Sequence, residues 1–325
     1  MTTTSRSPDL DAAFDYVSSL VRDGALPTAV LGVATREGIV ALESFGRTGT
    51  REARTGDHYR LFSITKPLVG LLAARELERG TLSLDTPLTD ALPGFGAGRD
   101  DVVRLRHLAS HTSGITEPEL DDRRPLREAL ETAGRDTPVG TRRRYSSLAF
   151  EGIAALIEHA GGATWESGLS TLNDELGTSF TLDEASDPPP VLGLGAFDMA
   201  TFAAQHHPGA GVIARAEDLL RVAVSLLRGD GAVVRPETLD LMRRPLTVGI
   251  PVHEPLPQDD GDEYGFTVKL PGWGATDGVF GHAGWSGTEF WINPAAGVAW
   301  TLMTNRPERP GFEVSTMERL VTRAD

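Results

Sequence analysis

Strand-forming runs lie at both ends of this chain and helix-forming runs fill its middle, an order that restricts the fold more than any other feature. Toward the N-terminus, Thr28–Thr35 and Ile39–Phe45 are β-rich, and Arg36, Glu37 and Gly38 make the turn of an antiparallel hairpin. The later strands are Tyr264–Leu270, Thr288–Ile292 and Val298–Thr304, the last two joined by a turn through Asn293, Pro294 and Gly297. Helical spacing marks Asp9–Asp23 through Leu10, Phe14, Val17, Leu20 and Val21. It marks Ile64–Arg79 again, closed by Gly80, then Arg215–Arg228 and a final helix from near Phe312. The Pro-rich patch Asp187–Pro190 reads as a turn or linker. Together these predict an α/β (α+β) fold, in which N- and C-terminal segments build one antiparallel sheet flanked by helices. The expected division is a sheet-containing lobe from residues 1–62 plus 226–325, a mainly helical lobe from 63–225, and an active site between them.

Composition narrows the function classes. The chain has no cysteine, which removes disulfides, thiolate metal sites and cysteine nucleophiles together. A net charge of −15 repels phosphate backbones and anionic lipid, so neither nucleic acid nor membrane is the expected partner. The N-terminal residues carry no apolar run of a secretory leader, and no stretch is apolar enough to span a bilayer, so a cytoplasmic enzyme is expected.

The chemistry centres on Ser63 and Lys66. The chain has only two lysines, Lys66 and Lys269, and one of them stands three residues after a serine at a predicted helix start. Positions i and i+3 share a helix face, so the amine can approach the hydroxyl. A serine hydroxyl is a poor nucleophile without an adjacent base, and a buried lysine near a helix N-terminus can become one. The bland alternative is an N-capping serine and a solvated first-turn lysine, although a cation is disfavoured at that end of a helix. Other features carry less. His107 and His111 have an i, i+4 spacing, but no Glu follows His107, so both are expected to be structural. Gly193-Leu194-Gly195 lacks a third glycine at dinucleotide spacing, and no G-x-S-x-G elbow occurs.

Leu61-Phe62-Ser63-Ile64-Thr65-Lys66 resembles the active-site segment of the serine β-lactamase and penicillin-binding-protein superfamily. Within it the likeness is to class C β-lactamases, D-alanyl-D-alanine carboxypeptidases and family VIII esterases. Further segments fall in that family's order. Leu82–Leu88 looks like the stretch after its first active-site helix, and His111-Thr112-Ser113-Gly114 is similar to its His-Thr-Ser-Gly signature. Tyr145-Ser146-Ser147 stands where the family has Tyr-x-Asn, and His282-Ala283-Gly284 where it has Lys-Thr-Gly or His-x-Gly. The resemblance implies that Ser63 attacks a carbonyl and forms an acyl-enzyme, with Lys66 or Tyr145 taking its proton. It implies oxyanion donors at the Ser63 and Trp285 backbones, with Ser147, His282, Gly284 and Trp285 lining the substrate site. His282 is expected on an edge strand.

The chain departs from the pattern at two of these positions. Ser147 replaces an amide with a shorter hydroxyl, and Ser147 can alternatively cap the following helix. His282 replaces a lysine and is mostly uncharged at neutral pH. With a chain short for the group, these departures favour a promiscuous esterase or an acyl-transfer enzyme over an efficient β-lactamase, and the leading expectation is an esterase or amidase on small molecules. A D-amino-acid peptidase, a biosynthetic acyltransferase and a non-catalytic ligand-binding homologue are the alternatives. The proposed chemistry needs no metal or organic cofactor.

Overall fold

The computed structural model describes residues 8–253 and 261–322. Strand β1 (Thr28–Thr35) lies at the centre of an eight-stranded antiparallel sheet. On one side it pairs with β2 (Gly38–Thr48), which carries the two-residue strand β3 (Arg51–Glu52) at its far end. On the other side it pairs with β10 (Val298–Thr304), in register from Ala29 opposite Thr304 to Thr35 opposite Val298. Beyond β10 come β9 (Glu289–Asn293), β8 (Phe280–Ala283), β7 (Lys269–Leu270) and β6 (Glu263–Tyr264). Both termini therefore build one sheet, as the order of segments predicts. A small second sheet joins β4 (Tyr59–Arg60) to β5 (Ile213–Ala214).

The helices are α1 (Pro8–Arg22), α2 (Thr65–Arg79), α3 (Leu88–Ala91), α4 (Leu105–Ala109), α5 (Leu126–Glu131) and α6 (Ala149–Gly161). They continue with α7 (Trp165–Leu176), α8 (Met199–Ala204), α9 (Ala216–Arg228), α10 (Pro236–Met242) and α11 (Val314–Thr322). Alternation along β1 divides the core. Ala29, Leu31 and Val33 join an apolar cluster with α1 and α11, while Val30 faces the larger cluster containing α2 and α6. Ala34 meets Leu220 and Val224 of α9. Helix α2 is buried almost all round, from Thr65 to Ala74, because sheet, α6 and α7 enclose it. Its fixed position is what makes its first turn a rigid platform. No helix among the described residues is long and apolar enough to cross a membrane.

Two expectations need correction. Tyr264–Leu270 is not one strand: β6 and β7 are paired in a hairpin whose turn is closed by Gly265 N–H donating to Val268 O at 3.0 Å. Thr267 takes a left-handed φ of 64° there, and its N–H donates to Ala109 O at 3.0 Å. The run is rich in β-forming residues throughout, so local periodicity cannot reveal a reversal that a distant carbonyl helps to fix. Strand β8, which carries His282, is therefore not the outermost strand, although β7 pairs with it at Gly281 alone and His282 pairs with Phe290 of β9.

Candidate active site

Strand β4 delivers the chain into a 3₁₀ turn, Phe62–Ile64, which runs directly into α2. Phe62 has a left-handed φ of 44°. That conformation costs on the order of 1 kcal/mol for a non-glycine residue. It is offset by packing: the buried ring stacks on Phe202 at 5.3 Å and meets Trp285 edge-on at 5.5 Å. Ser63 follows, half-buried. One helical step later, Lys66 Nζ donates to Ser63 Oγ at 3.0 Å, as the i, i+3 spacing predicts.

Lys66 is fully buried, and its other two contacts are Ser147 Oγ at 3.0 Å and the Gly209 carbonyl at 2.9 Å. An ammonium has three donors, and three neutral oxygens meet them. Burial away from water penalises the charged form and pushes the amine down to about 7, against the opposing pull of the Glu117 charge. In the neutral form the Gly209 carbonyl must still accept a hydrogen bond, which leaves the amine lone pair for the Ser63 hydroxyl. The amine is thus poised to exchange a proton with Ser63.

Tyr145 completes the cluster from a distant stretch. Its hydroxyl donates to Ser63 Oγ at 2.7 Å, and its ring centroid lies 4.6 Å from Lys66 Nζ. His111 is the shelf beneath it. The imidazole stacks on Tyr145 at 4.3 Å, stands edge-on to Tyr264 at 4.7 Å and accepts from Ser146 N at 3.1 Å. Burial holds His111 well below the usual histidine range, so it packs as a neutral ring. Gly114 of the same loop adopts φ 66°, and a Cβ there would sit 2.0 Å from the Thr137 carbonyl, so no other residue fits. His107 serves elsewhere, its Nδ1 accepting from Arg104 N at 3.1 Å. The described residues contain no group of three or more His, Asp or Glu side chains arranged for a metal ion.

Ser147 does not cap α6. Leu148 holds the cap position, and it is Ser146 Oγ that accepts from Ala149 N at 3.0 Å, which leaves the Ser147 hydroxyl on Lys66. His282 is buried on β8, and its Nδ1 donates to the Ala283 carbonyl at 2.7 Å. Nε2 is therefore the acceptor nitrogen. Burial, with a smaller contribution from the Lys66 charge, pushes the imidazole down to about 3, so it is neutral. Gly284 is required by close approach, because a Cβ would lie 2.2 Å from both the Leu61 carbonyl and Thr288 Oγ1. Ser286 Oγ donates to the Arg60 carbonyl at 2.9 Å, lacing the β8–β9 turn to the chain just before Ser63. Trp285 sits in that turn, 43% exposed, with its ring edge-on to Phe62 and to Phe197 at 5.0 Å.

Sequence reasoning missed three contributors. The Gly209 carbonyl binds Lys66, and buried His207 fixes that loop by accepting from Gly209 N at 2.9 Å. Glu117 accepts from Ser146 Oγ at 2.5 Å and from Ser147 N at 2.6 Å. Pro208-Gly209-Ala210-Gly211 signals a tight turn, but nothing local distinguishes Glu117 from the acidic residues around it.

The described fold superimposes on a penicillin-binding-protein homologue from Caulobacter crescentus with a TM-score of 0.80, covering 98% of this chain and 97% of that one at 18% identity. That architecture is the β-lactamase and penicillin-binding-protein fold. The chain belongs to the β-lactamase family, whose model matches residues 13–322. Among its relatives, esterase EstB of Burkholderia gladioli is 31% identical over 252 residues, a match spanning 70% of this chain and 60% of the esterase. Acyltransferase mokF of Monascus pilosus is 26% identical over 300 residues, 73% of this chain and 70% of that protein.

Proposed function

We propose that the protein is a serine hydrolase that forms an acyl-enzyme on Ser63 and prefers neutral, apolar small-molecule esters. The observation that carries this is the convergence on one hydroxyl: Tyr145 at 2.7 Å and a fully buried Lys66 at 3.0 Å. Ser63 Oγ attacks the ester carbonyl and its proton passes to Lys66, directly or through Tyr145. The carbonyl electrons move to oxygen, where the backbone N–H groups of Ser63 and Trp285 stabilise the anion, each by about 3 kcal/mol. Collapse expels the alcohol, which takes the proton back from the Tyr145–Lys66 pair. Water then attacks the acyl-serine by the same sequence and releases the acid.

Substrate preference follows from the walls. A neutral His282 offers no cation to a substrate carboxylate, while Phe62, Phe197 and Trp285 form an aromatic surface beside the serine. A second reading, acyl transfer to an alcohol in place of water, draws support from the mokF relative, which is named an acyltransferase. The experiment is p-nitrophenyl butyrate turnover by wild type and Ser63→Ala, with intact-mass analysis after a phosphonate probe. Wild-type turnover with one adduct, both lost in the variant, is expected. A wild type that takes no adduct and shows no turnover defeats the proposal. Efficient cephalosporin turnover overturns the substrate preference.

A further inference from the structure

Glu117 touches the site yet has no part in the reaction above. Its Oε1 accepts from Ser147 N at 2.6 Å and Leu148 N at 3.2 Å, and its Oε2 accepts from Ser146 Oγ at 2.5 Å. Burial raises the Glu117 carboxyl above the usual carboxylate range, and the opposing pull toward the anion comes from these neighbours, every one a donor in the turn leading into α6, and from the Lys66 charge. The clamped turn begins at Tyr145, and its Ser147 hydroxyl touches Lys66 Nζ. The carboxylate thus fixes the stretch that supplies two of the groups around the serine and lysine.

Its charge also reaches Lys66, favouring the ammonium where burial disfavours it. The other titratable groups facing Lys66 are Tyr145 and three histidines from separate segments, His111, His207 and His282. Burial keeps all three imidazoles neutral at ordinary pH. Glu117 therefore supplies the negative charge that acts on the buried amine.

We propose that Glu117 is a positioning residue of the Ser63 site, holding the Tyr145–Leu148 turn against Lys66 and supplying the anion that sets when the amine gives up its proton. The idea rests on the acyl-enzyme reading, but its test does not depend on turnover. Because the chain has only two lysines, isotope-labelled lysine yields two side-chain NMR signals, assigned with Lys269→Arg. In Glu117→Gln the Lys66 titration midpoint should fall by about one pH unit or more while Lys269 stays put. Glu117→Asp, which keeps the charge, should restore most of that shift. Glu117→Ala is the second charge-removing variant and must move Lys66 in the same direction. If esters are turned over, the acid limb of kcat/KM should move with the midpoint. An unmoved Lys66 midpoint in folded Glu117→Gln or Glu117→Ala overturns the proposal, whatever the activity. Failure of wild-type Ser63 to take a phosphonate defeats the acyl-enzyme reading instead, and the lysine titration still decides the role of Glu117.

Discussion

The first turn of α2 and strand β7 each withdraw a lysine from water, and they treat it in opposite ways. Lys66 meets three neutral oxygens, whereas Lys269 is paired directly with the Asp262 carboxylate at 2.5 Å, the two side chains being 13% and 5% exposed. A buried charge answered by a contacting counter-charge is held as an ion. A buried charge touched only by dipoles, with its nearest anion out of contact, is pressed toward its neutral form. The first arrangement builds structure, and the second makes a base.

Substituting each lysine tests that contrast most sharply. Lys66→Met should lower kcat/KM for p-nitrophenyl butyrate by roughly 10³-fold while the protein stays folded, because removal of a buried, unpaired charge is tolerated. Lys269→Met should do the reverse: near-wild-type turnover, but about 3 kcal/mol less stability in urea unfolding, because Asp262 is left buried without its counter-charge, with the Gly272 N–H still donating to it. A Lys269→Met protein that is stable yet inactive would erase the distinction. Tyr145→Phe, which keeps the ring on His111 and removes the hydroxyl, should cost about 10²-fold in kcat/KM with little change in melting temperature.

Acidity gives a further test. With its amine pushed down to about 7, Lys66 is an ammonium below that pH and a base above it, so kcat/KM should rise about tenfold per pH unit up to a bend near 7. A flat profile from pH 5 to 8 would rule out the neutral amine as the working form. The smallest effect concerns His282. Its folded value of about 3 lies below the ordinary histidine value, so only the unfolded chain takes up a proton as pH falls through about 6. Stability is therefore lost on the acid side. Relative to His282→Gln, the wild type should lose about 2 kcal/mol between pH 7 and pH 5 in urea unfolding.

What could be read in advance was whatever the chain writes locally. The hairpin of β1 and β2, the helices α1, α2 and α9, and β10 all follow from residue periodicity and turn residues. The approach of Lys66 to Ser63 follows from three residues of helix. The β6–β7 reversal escaped because its turn is secured by a carbonyl on α4, far off in the chain. Glu117, Gly209 and His207 escaped for a related reason, since each matters only through contacts that the tertiary fold creates. Tyr145 was identified by family likeness alone, because nothing near residue 145 announces a partner 82 positions away.

The pairing of β1 with β10 has a consequence for how the molecule comes into being. During synthesis β1 gains one neighbour at once, β2, while its other flank waits for β10, the last strand of the described residues, to emerge. Until then the middle of the future sheet is a raw edge, able to recruit any strand that passes. Chains cut short before residues 298–304 should therefore clump rather than work at reduced rate, and the wall carrying His282 and Trp285 would have no sheet to hang from.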